Sequence, residues 1–590
     1  VSEPHKREQR KWLPAPALAD LHGYRRAWLR GDLLAGVTVA AYLVPQVMAY
    51  AQVAGVPPVA GVWAALPALV VYAALGSSRS LSMGPESTTA LMTAVAIGPL
   101  AAGNPARYAG LAASLALLVG VLSVCAGLVR LGFAADLLSR PVLVGYLAGV
   151  ALIMIAGQLG RVTGVPVHGS SFAGDLVSFA HGFGEWQPAT AGLASAVLVF
   201  LLVVRWRWPQ APGLLLAMLL ATGAVAVFGL TSHGVAVVGP IPGGLPVPRL
   251  PDLHWGELPE LLLPAFSVMI VAFTDDVLTA RSFARRRERT RANQELVALG
   301  VANVGASLLR GFPVSSSASR TAIGVAAGSR TQLYSLVAAG SVLAVLYLFR
   351  PLLAAFPVAA LGAIVIYAAI RLIDVTALRQ LLAFRRGELV IALLACAGVL
   401  AFNILYGVLL AIAVSVADLL VRVARPHAAV LGRVPGIAGM HNVDDYPDAR
   451  TVPGLVVYRY DAPLFFANAE DFRRRALAAA NSQAPPRWFV LNVEANVEVD
   501  FTALEAVEAV RAELAQAGTV FALARVKQDL LARLEAFGLA DKIGAGRLFP
   551  TLPTAVEAYE QWASQNPPAK PPAARRPCGA RPALTRSRPG

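Results

Sequence analysis

The densest chemistry in this 590-residue chain sits in Gly311-Phe312-Pro313-Val314-Ser315-Ser316-Ser317-Ala318-Ser319-Arg320-Thr321. Hydroxyls and one cation follow a Gly-Phe-Pro break, and long apolar runs lie on either side. Breaking an apolar helix frees backbone N–H groups, which at membrane depth need protein, water or a ligand. Several N–H donors at a helix start, with an arginine beside them, suit an anion. The plainer reading is a connection between two spans. A second stretch, Gly84-Pro85-Glu86-Ser87-Thr88, has the same form. The donors expected at the two sites are the N–H groups of about Glu86–Thr88 and Ser317–Ser319, with charge from Arg320. Serines 315–319 also read as small residues that let helices approach closely.

Three further sets of polar residues lie in apolar runs. Gln46 and Tyr50 are four apart and share a helix face, where they offer neutral donors or helix–helix glue. Asp275 and Asp276 occupy Thr274-Asp275-Asp276-Val277-Leu278-Thr279. An acidic residue at membrane depth costs roughly 2.5–3.5 kcal/mol on insertion scales, so a functional role is the default. Adjacent helical positions point about 100° apart, so only one can face a small site. Asp275, with Thr279 one turn on, is the expected coupling residue, and Asp276 is expected to turn toward the cytosolic side or Arg281. A structural Asp–Arg pair is the alternative.

The composition supports this setting. Hydrophobic residues make up 56% and charged residues 14%, and the mean hydropathy is +0.60. Soluble domains carry about a quarter charged residues, so a multispanning membrane protein with a soluble appendage is indicated. The net charge of +15 resides largely in arginines at the ends of apolar runs and in two tails. That is membrane orientation, and no nucleic-acid partner is expected. Cys125, Cys396 and Cys578 have no ligand spacing, so neither a disulfide framework nor a metal site is indicated. No cofactor is expected. The polar, basic start, residues 1–30, reads as a cytosolic N-terminal segment rather than a signal peptide.

About fourteen apolar segments fall near 31–50, 60–76, 85–100, 108–129, 141–159, 188–204, 213–230, 261–280, 295–309, 314–327, 332–349, 356–371, 388–404 and 407–424. The third and tenth are short and Gly/Pro-broken. Such a pair at matching places in two halves points to a transporter's binding site, and a seven-segment repeat must invert. With a cytosolic N-terminus, the inside connections carry Arg79, Arg130, Arg140, Arg205, Arg207, Arg281 through Arg291, Arg330, Arg371, Arg379, Arg385 and Arg386. The outside ones carry only Arg107, Arg161, Arg249, Arg310 and Arg350. The bias puts both termini in the cytosol. The long outside connections, 160–187 and 231–260, read as surface loops.

The transmembrane region thus spans 31–424, followed by a linker, 425–453, and a small cytosolic α/β domain, 454–565. Its strands are expected at Leu455–Tyr460, Trp488–Val493 and Val520–Val526. Helices are expected at Ala469–Ala480, Thr502–Ala517, Gln528–Ala540 and Thr554–Ala563. Asn468 and Thr554 stand where N-caps belong, Gly518 at a C′ position, and Asp500 reads as a cap. Residues 566–590 form a Pro/Arg-rich tail of disordered composition.

Pro45-Gln46-Val47-Met48-Ala49-Tyr50-Ala51, Ala54-Gly55-Val56-Pro57-Pro58-Val59-Ala60-Gly61-Val62-Trp63, Ser82-Met83-Gly84-Pro85 and Ser317-Ala318-Ser319-Arg320 resemble the sulfate permease (SulP) family of anion transporters. The trailing domain resembles the STAS domain these carriers bear. The resemblance implies a mainly α membrane fold of about fourteen helices in a seven-plus-seven inverted repeat, divided into core and gate. It also implies a substrate site between the starts of the third and tenth helices, an elevator-like movement and a homodimer in the lipid bilayer. The Asp275/Thr279 pair resembles the cation-site pattern of sodium-coupled bicarbonate carriers in the family, so the coupling ion is Na+ or H+. Glu86 departs from the family, which more often has an apolar or small residue there. A carboxylate beside an anion is repulsive, so Glu86 is expected to pair with Arg320 or bind a translocated proton. Val499-Asp500-Phe501-Thr502 has Phe where soluble relatives of STAS carry a phosphorylated Ser; that switch is expected to be absent, with Thr502 as the substitute and room for a cytosolic regulator.

These readings favour a secondary active anion transporter, with sulfate uptake first and bicarbonate or dicarboxylate transport, or an uncoupled channel, as alternatives. A regulatory scaffold acting through STAS leaves the intramembrane acids unexplained. An ATPase is disfavoured because no Gly-rich loop ends in Lys-Ser/Thr, and an enzyme because no nucleophile–base pair appears in the spans.

Overall fold

The computed structural model describes residues 24–567 apart from 102, 137–138, 168–170, 209–210, 252–254, 285–287, 289 and 482–485. Most of the N-terminal segment, parts of the Arg281–Arg291 connection and nearly all of the C-terminal tail with Cys578 lie outside the described residues. The chain separates into two compact units, residues 1–416 and 417–590.

The first unit is helical. Its apolar helices are α1 (Arg26–Val53), α2 (Pro58–Leu75), α3 (Ser87–Ala101), α4 (Pro105–Leu128), α5 (Arg140–Thr163), α6 (Pro188–Arg207), α7 (Gly213–Val227), α8 (Leu258–Ser282), α9 (Ala292–Leu308), α10 (Ala318–Ala326), α11 (Leu333–Leu348), α12 (Val358–Leu372) and α13 (Arg386–Ala424), of which residues 417–424 of α13 fall in the second unit. Seven helical spans among the described residues are long and apolar enough to cross a membrane. α3 and α10 have only 15 and 9 residues, so they cover about three quarters and about half of a hydrocarbon core that takes about 20.

One expectation changes in this unit, and two expected segments are joined in one element. The segments 388–404 and 407–424 fall in the single element α13. A Cβ on Gly398 would lie 2.8 Å from Leu410 Cδ2, and one on Gly407 would lie 2.7 Å from Val399 Cα. Residues eight apart in a straight helix are separated by about 12 Å, so the chain doubles back inside this element. The 160–187 connection contains a helix, Phe172–Gly182, capped by Ser171, whose hydroxyl accepts the Gly174 N–H. The Ser171 side chain starts that helix as an N-cap should.

Helix packing uses glycine where backbones nearly touch. α4 and α9 cross at Gly120 and Gly300: a Cβ on Gly120 would meet Gly300 O at 2.8 Å, and one on Gly300 would meet Gly120 O at 2.7 Å. Small residues at such crossings let bilayer-embedded helices gain dispersion energy. Gly120→Leu is therefore expected to cost about 1–3 kcal/mol or more through overpacking. It should show as a lower melting temperature in detergent, whereas Gly110→Leu, where a Cβ meets nothing, should melt as wild type.

The second unit is an α/β domain. Its sheet has six strands in the order β4-β3-β5-β6-β7-β8: β3 (Ala428–Arg433), β4 (Met440–Asn442), β5 (Leu455–Tyr460), β6 (Trp488–Asn492), β7 (Val520–Ala524) and β8 (Leu548–Phe549). β5 to β8 run parallel, and β3 joins β5 and β4 antiparallel. The stretch expected as a linker, 425–453, thus supplies two strands. β6 is buried at every position, as a central parallel strand must be. The helices are α14 (Ala469–Asn481), α15 (Phe501–Gln516), α16 (Gln528–Ala536) and α17 (Leu552–Gln565).

Caps explain the boundaries. Asp500 caps α15, accepting the Ala503 N–H at 2.8 Å, and Gly518 follows α15 with φ +75°. α17 starts earlier than expected, with Thr551 rather than Thr554 as its cap. Pro553 in the first turn lacks only an N–H that would be unpaired anyway. The Asn468 carboxamide turns back to accept the Phe465 N–H instead of capping α14. α16 stops before Gly538, which takes φ +74°. Phe501 is 67% exposed, at the place where the soluble relatives carry their serine.

Candidate functional site

The two Gly/Pro-broken stretches meet. Met83–Gly84 (β1) pairs antiparallel with Ser315–Ser316 (β2), Met83 opposite Ser316 and Gly84 opposite Ser315. Ser317 N–H extends the ladder to Ser82 O at 2.9 Å, and the Thr321 hydroxyl accepts the Ser82 N–H at 3.0 Å. Each break therefore satisfies the other's backbone groups, as non-helical chain at membrane depth requires.

Buried side chains clamp both stretches. The Asn303 carboxamide accepts the Val314 N–H at 2.9 Å and donates to Val314 O at 3.1 Å. Asp276 Oδ1 accepts from Ser316 N–H at 2.6 Å and from the Ser315 hydroxyl at 3.1 Å. On the other strand's approach, Gln332 donates to Ser78 O and Leu81 O, and the Tyr334 hydroxyl donates to Ser80 O. Fully buried Glu295 accepts from the Ser77 N–H and from the Ser77 and Tyr72 hydroxyls. Asp32, equally buried, accepts from Arg330 N–H and from the N–H and hydroxyl of Thr331.

α3 and α10 start at this ladder, and their first residues line one cavity of about 200 Å³. Its wall includes Gln46, Tyr50, Glu86, Ser87, Thr88, Asp275, Ser317, Ala318 and Ser319, together with Tyr42, Thr89, Tyr146, Tyr367 and Arg371. The Ala318 and Ser319 N–H groups stand in the first turn of α10, with no protein partner among the described residues. Such first-turn donors are the orphans of any helix start. A second cavity of about 470 Å³ shares Tyr42, Leu214, Ser319, Tyr367 and Arg371 with the first, and continues to Arg205 and Trp208.

The arginine behaves differently from its expected role. Arg320 is fully buried and absent from the cavity wall. Its Nη1 donates to Pro85 O at 2.9 Å and Gln46 Oε1 at 3.2 Å, while Nε and Nη2 have no partner among the described residues. Gln46 passes the contact on, donating from Nε2 to the Tyr50 hydroxyl at 2.9 Å. Gly84 leaves the space Arg320 needs, since a Cβ there would lie 3.3 Å from Nη2. The guanidinium thus lies behind the wall as a fixed positive charge that also pins the turn into α3.

Glu86 does not pair with Arg320: no ion pair between them occurs among the described residues. Its Oε2 accepts the Thr88 N–H at 2.7 Å and its Oε1 accepts the Ser87 hydroxyl at 2.7 Å. Of the expected donors, Thr88 N–H is therefore held by Glu86 and Ser317 N–H by the ladder. Asp276 is not turned toward the cytosolic side; it is buried among the clamps. Asp275 lines the cavity as expected, and Thr279 is buried outside that wall. The i,i+4 spacing carries Thr279 a full turn past the cavity.

Sequence reasoning missed Tyr42, Thr89, Tyr146, Tyr367 and Arg371 as wall residues. The last four give no local signal, being ordinary residues of a helix or its end. Tyr42 lies one turn before Gln46 on the same face of α1, the one hint available.

Two short helices that start from one ladder in an apolar multispan unit, with a cavity at their starts, make the arrangement of a membrane transporter. The sequence matches the profile of the sulfate permease family over residues 29–395 and that of the STAS domain over 446–555. The chain belongs to the sulfate permease family. A relative named as a probable sulfate transporter of Mycobacterium tuberculosis (strain CDC 1551) is 57% identical over 550 residues, covering 93% of this chain and 98% of that one. Sulfate transporter 3.1 of Arabidopsis thaliana is 28% identical, covering 91% and 85%. Among solved structures, the murine Slc26a9 anion transporter in its inward-facing state matches with a TM-score of 0.85 at 21% identity, covering 93% and 94%. The transmembrane domain of a cyanobacterial bicarbonate transporter, BicA, matches with a TM-score of 0.57 at 24% identity, covering 66% and 98%. At those identities the structural likeness concerns the fold alone.

Proposed function

We propose that the chain is a secondary active anion transporter of the cell membrane that takes up sulfate together with protons or sodium. The carrying observation is the cavity at the starts of α3 and α10, with the free Ala318 and Ser319 N–H groups on its wall and buried Arg320 behind it. Helix-start donors and a fixed positive charge recognise a small oxyanion without needing a cationic side chain in contact with it. Sulfate is preferred over bicarbonate because the relatives named as sulfate transporters align along nearly their whole length.

Substrate binds in this reading between Gln46, Tyr50, Ser87, Thr88, Ser317, Ala318 and Ser319. Asp275, on the same wall, takes up the coupling ion. The cavity is lined by residues of α1, α3, α8 and α10 and by residues of α5, α7 and α12, which we read as two groups of helices. That division supports an elevator-type movement of a core containing the ladder against a gate. The second cavity, ending at Arg205, gives the cytosolic exit for an orientation with both termini inside. We further propose a homodimer, a transporter region of 31–424, a STAS domain that adds β3 and β4 to residues 454–565, and regulation through the latter.

Uptake of labelled sulfate and bicarbonate into proteoliposomes tests this, with proton and sodium gradients imposed separately. Sulfate accumulation driven by one of the gradients is expected. Anion current that needs neither gradient would replace the carrier with a channel.

A further inference from the structure

Glu86 and Asp275 are the two acids on the cavity wall, and Glu86 is the one that stands at a helix start meant for an anion. It is only partly covered, it faces the cavity, and both of its oxygens are engaged. Oε2 holds the Thr88 N–H at 2.7 Å and Oε1 holds the Ser87 hydroxyl at 2.7 Å. Both donors belong to the α3 start, and the Thr88 N–H is of the same kind as those that α10 leaves without a partner among the described residues at Ala318 and Ser319. A carboxylate with two oxygens on two adjacent donors is the geometry a bound oxyanion adopts. The backbone beneath it is pinned, because Pro85 O accepts from Arg320. Only the side chain has to turn for the donors to open.

We propose that Glu86 is a built-in occupant of the anion site, a tethered carboxylate that holds the α3 donors when substrate is absent and yields them to substrate. The inference rests on the transport reading above and adds a specificity device to it. An incoming oxyanion must displace two hydrogen bonds and the charge of Glu86 from beside itself. A tetrahedral dianion brings two charges and four acceptor oxygens to these donors, whereas a halide brings one charge and gains less for the same displacement. Asp275 and Arg371 of α12 share the wall, so removing one negative charge tilts the cavity toward anions in general.

The test uses the full-length protein with Glu86→Ala and Glu86→Gln, comparing sulfate uptake and sulfate binding to the purified protein. The KM and Kd for sulfate are expected to fall several-fold in Glu86→Ala. Chloride and acetate, weak competitors of wild type, should become effective competitors of the variant, with acetate filling the place of the missing carboxylate. Glu86→Gln, which keeps the shape and one acceptor, should fall between the two. A cap with no part in binding would lower the melting temperature of Glu86→Ala and leave Kd and competition unchanged. That result, or weaker sulfate binding by well-folded Glu86→Gln, would overturn the inference while wild-type uptake left the transport reading standing. A wild type that bound no oxyanion would overturn both.

Discussion

Arg320→Met is expected to abolish high-affinity sulfate uptake while leaving a folded protein. Methionine is apolar and close to arginine's length, so it fills the buried space behind β1. The substitution removes a charge whose Nε and Nη2 have no partner among the described residues, and with it the hydrogen bonds to Pro85 O and Gln46. A unit charge about 8 Å from an anion is worth about 2 kcal/mol at an effective dielectric of 20, and twice that toward a dianion. Each 1.4 kcal/mol is a factor of ten, so the sulfate Kd should rise by at least about 30-fold. Arg320→Lys keeps the charge but cannot serve both acceptors with the same planar fork, and should recover only part of the affinity. Binding and uptake measured on the three proteins, with melting temperatures alongside, check this. Wild-type affinity in Arg320→Met would show that the helix starts alone hold the anion.

The adjacent acids should separate completely. Asp276→Leu removes a carboxylate that receives the Ser316 N–H and Ser315 hydroxyl, leaving a buried N–H unpaired beside the ladder. Hydrogen bonds to a charged group contribute about 1.5–3 kcal/mol each, so a loss of about 3 kcal/mol or more is expected. Low yield and a clearly reduced melting temperature should follow. Asp275→Asn changes only a cavity-lining group and should melt as wild type. Under the proposed coupling role it should bind sulfate yet lose its response to an imposed proton or sodium gradient. Asp275→Asn vesicles that still respond to the gradient would remove that role.

These two residues also show how far the sequence could be read. The 100° rule correctly allows only one of them at the cavity, and Asp275 is that one. What Asp276 does instead depended on the path of residues 314–317, which no local pattern encodes. The Gly-Pro breaks were visible because they interrupt apolar runs, and they placed both half-helices and their serines. The ladder between them was not, since two strands of two residues carry no period-2 signal. Glu86 stands out in the sequence, but of its two expected roles the pairing with Arg320 does not occur among the described residues, because its donors lie one and two residues ahead in its own helix. Arg371 and Tyr146 reach the cavity through helix packing, which periodicity does not reveal. In the second unit, β5 was legible to the residue as a short apolar run. β3 and β4 were not, because their hairpin runs through Gly436 and Gly439 and its strands are only partly buried.

Substrate protection of a single cysteine at the start of α10 tests the central claim most directly. Ser319→Cys, in a background with Cys125, Cys396 and Cys578 replaced by alanine or serine, puts a thiol on the wall shared by both cavities. A charged thiol reagent should reach it from the Arg205 side, and sulfate should slow the reaction several-fold at concentrations near its KM. A control thiol at Thr38, which lines only the second cavity, should react at a rate independent of sulfate. If sulfate is taken up yet leaves the Ser319→Cys reaction rate unchanged, the anion does not bind at the starts of α3 and α10.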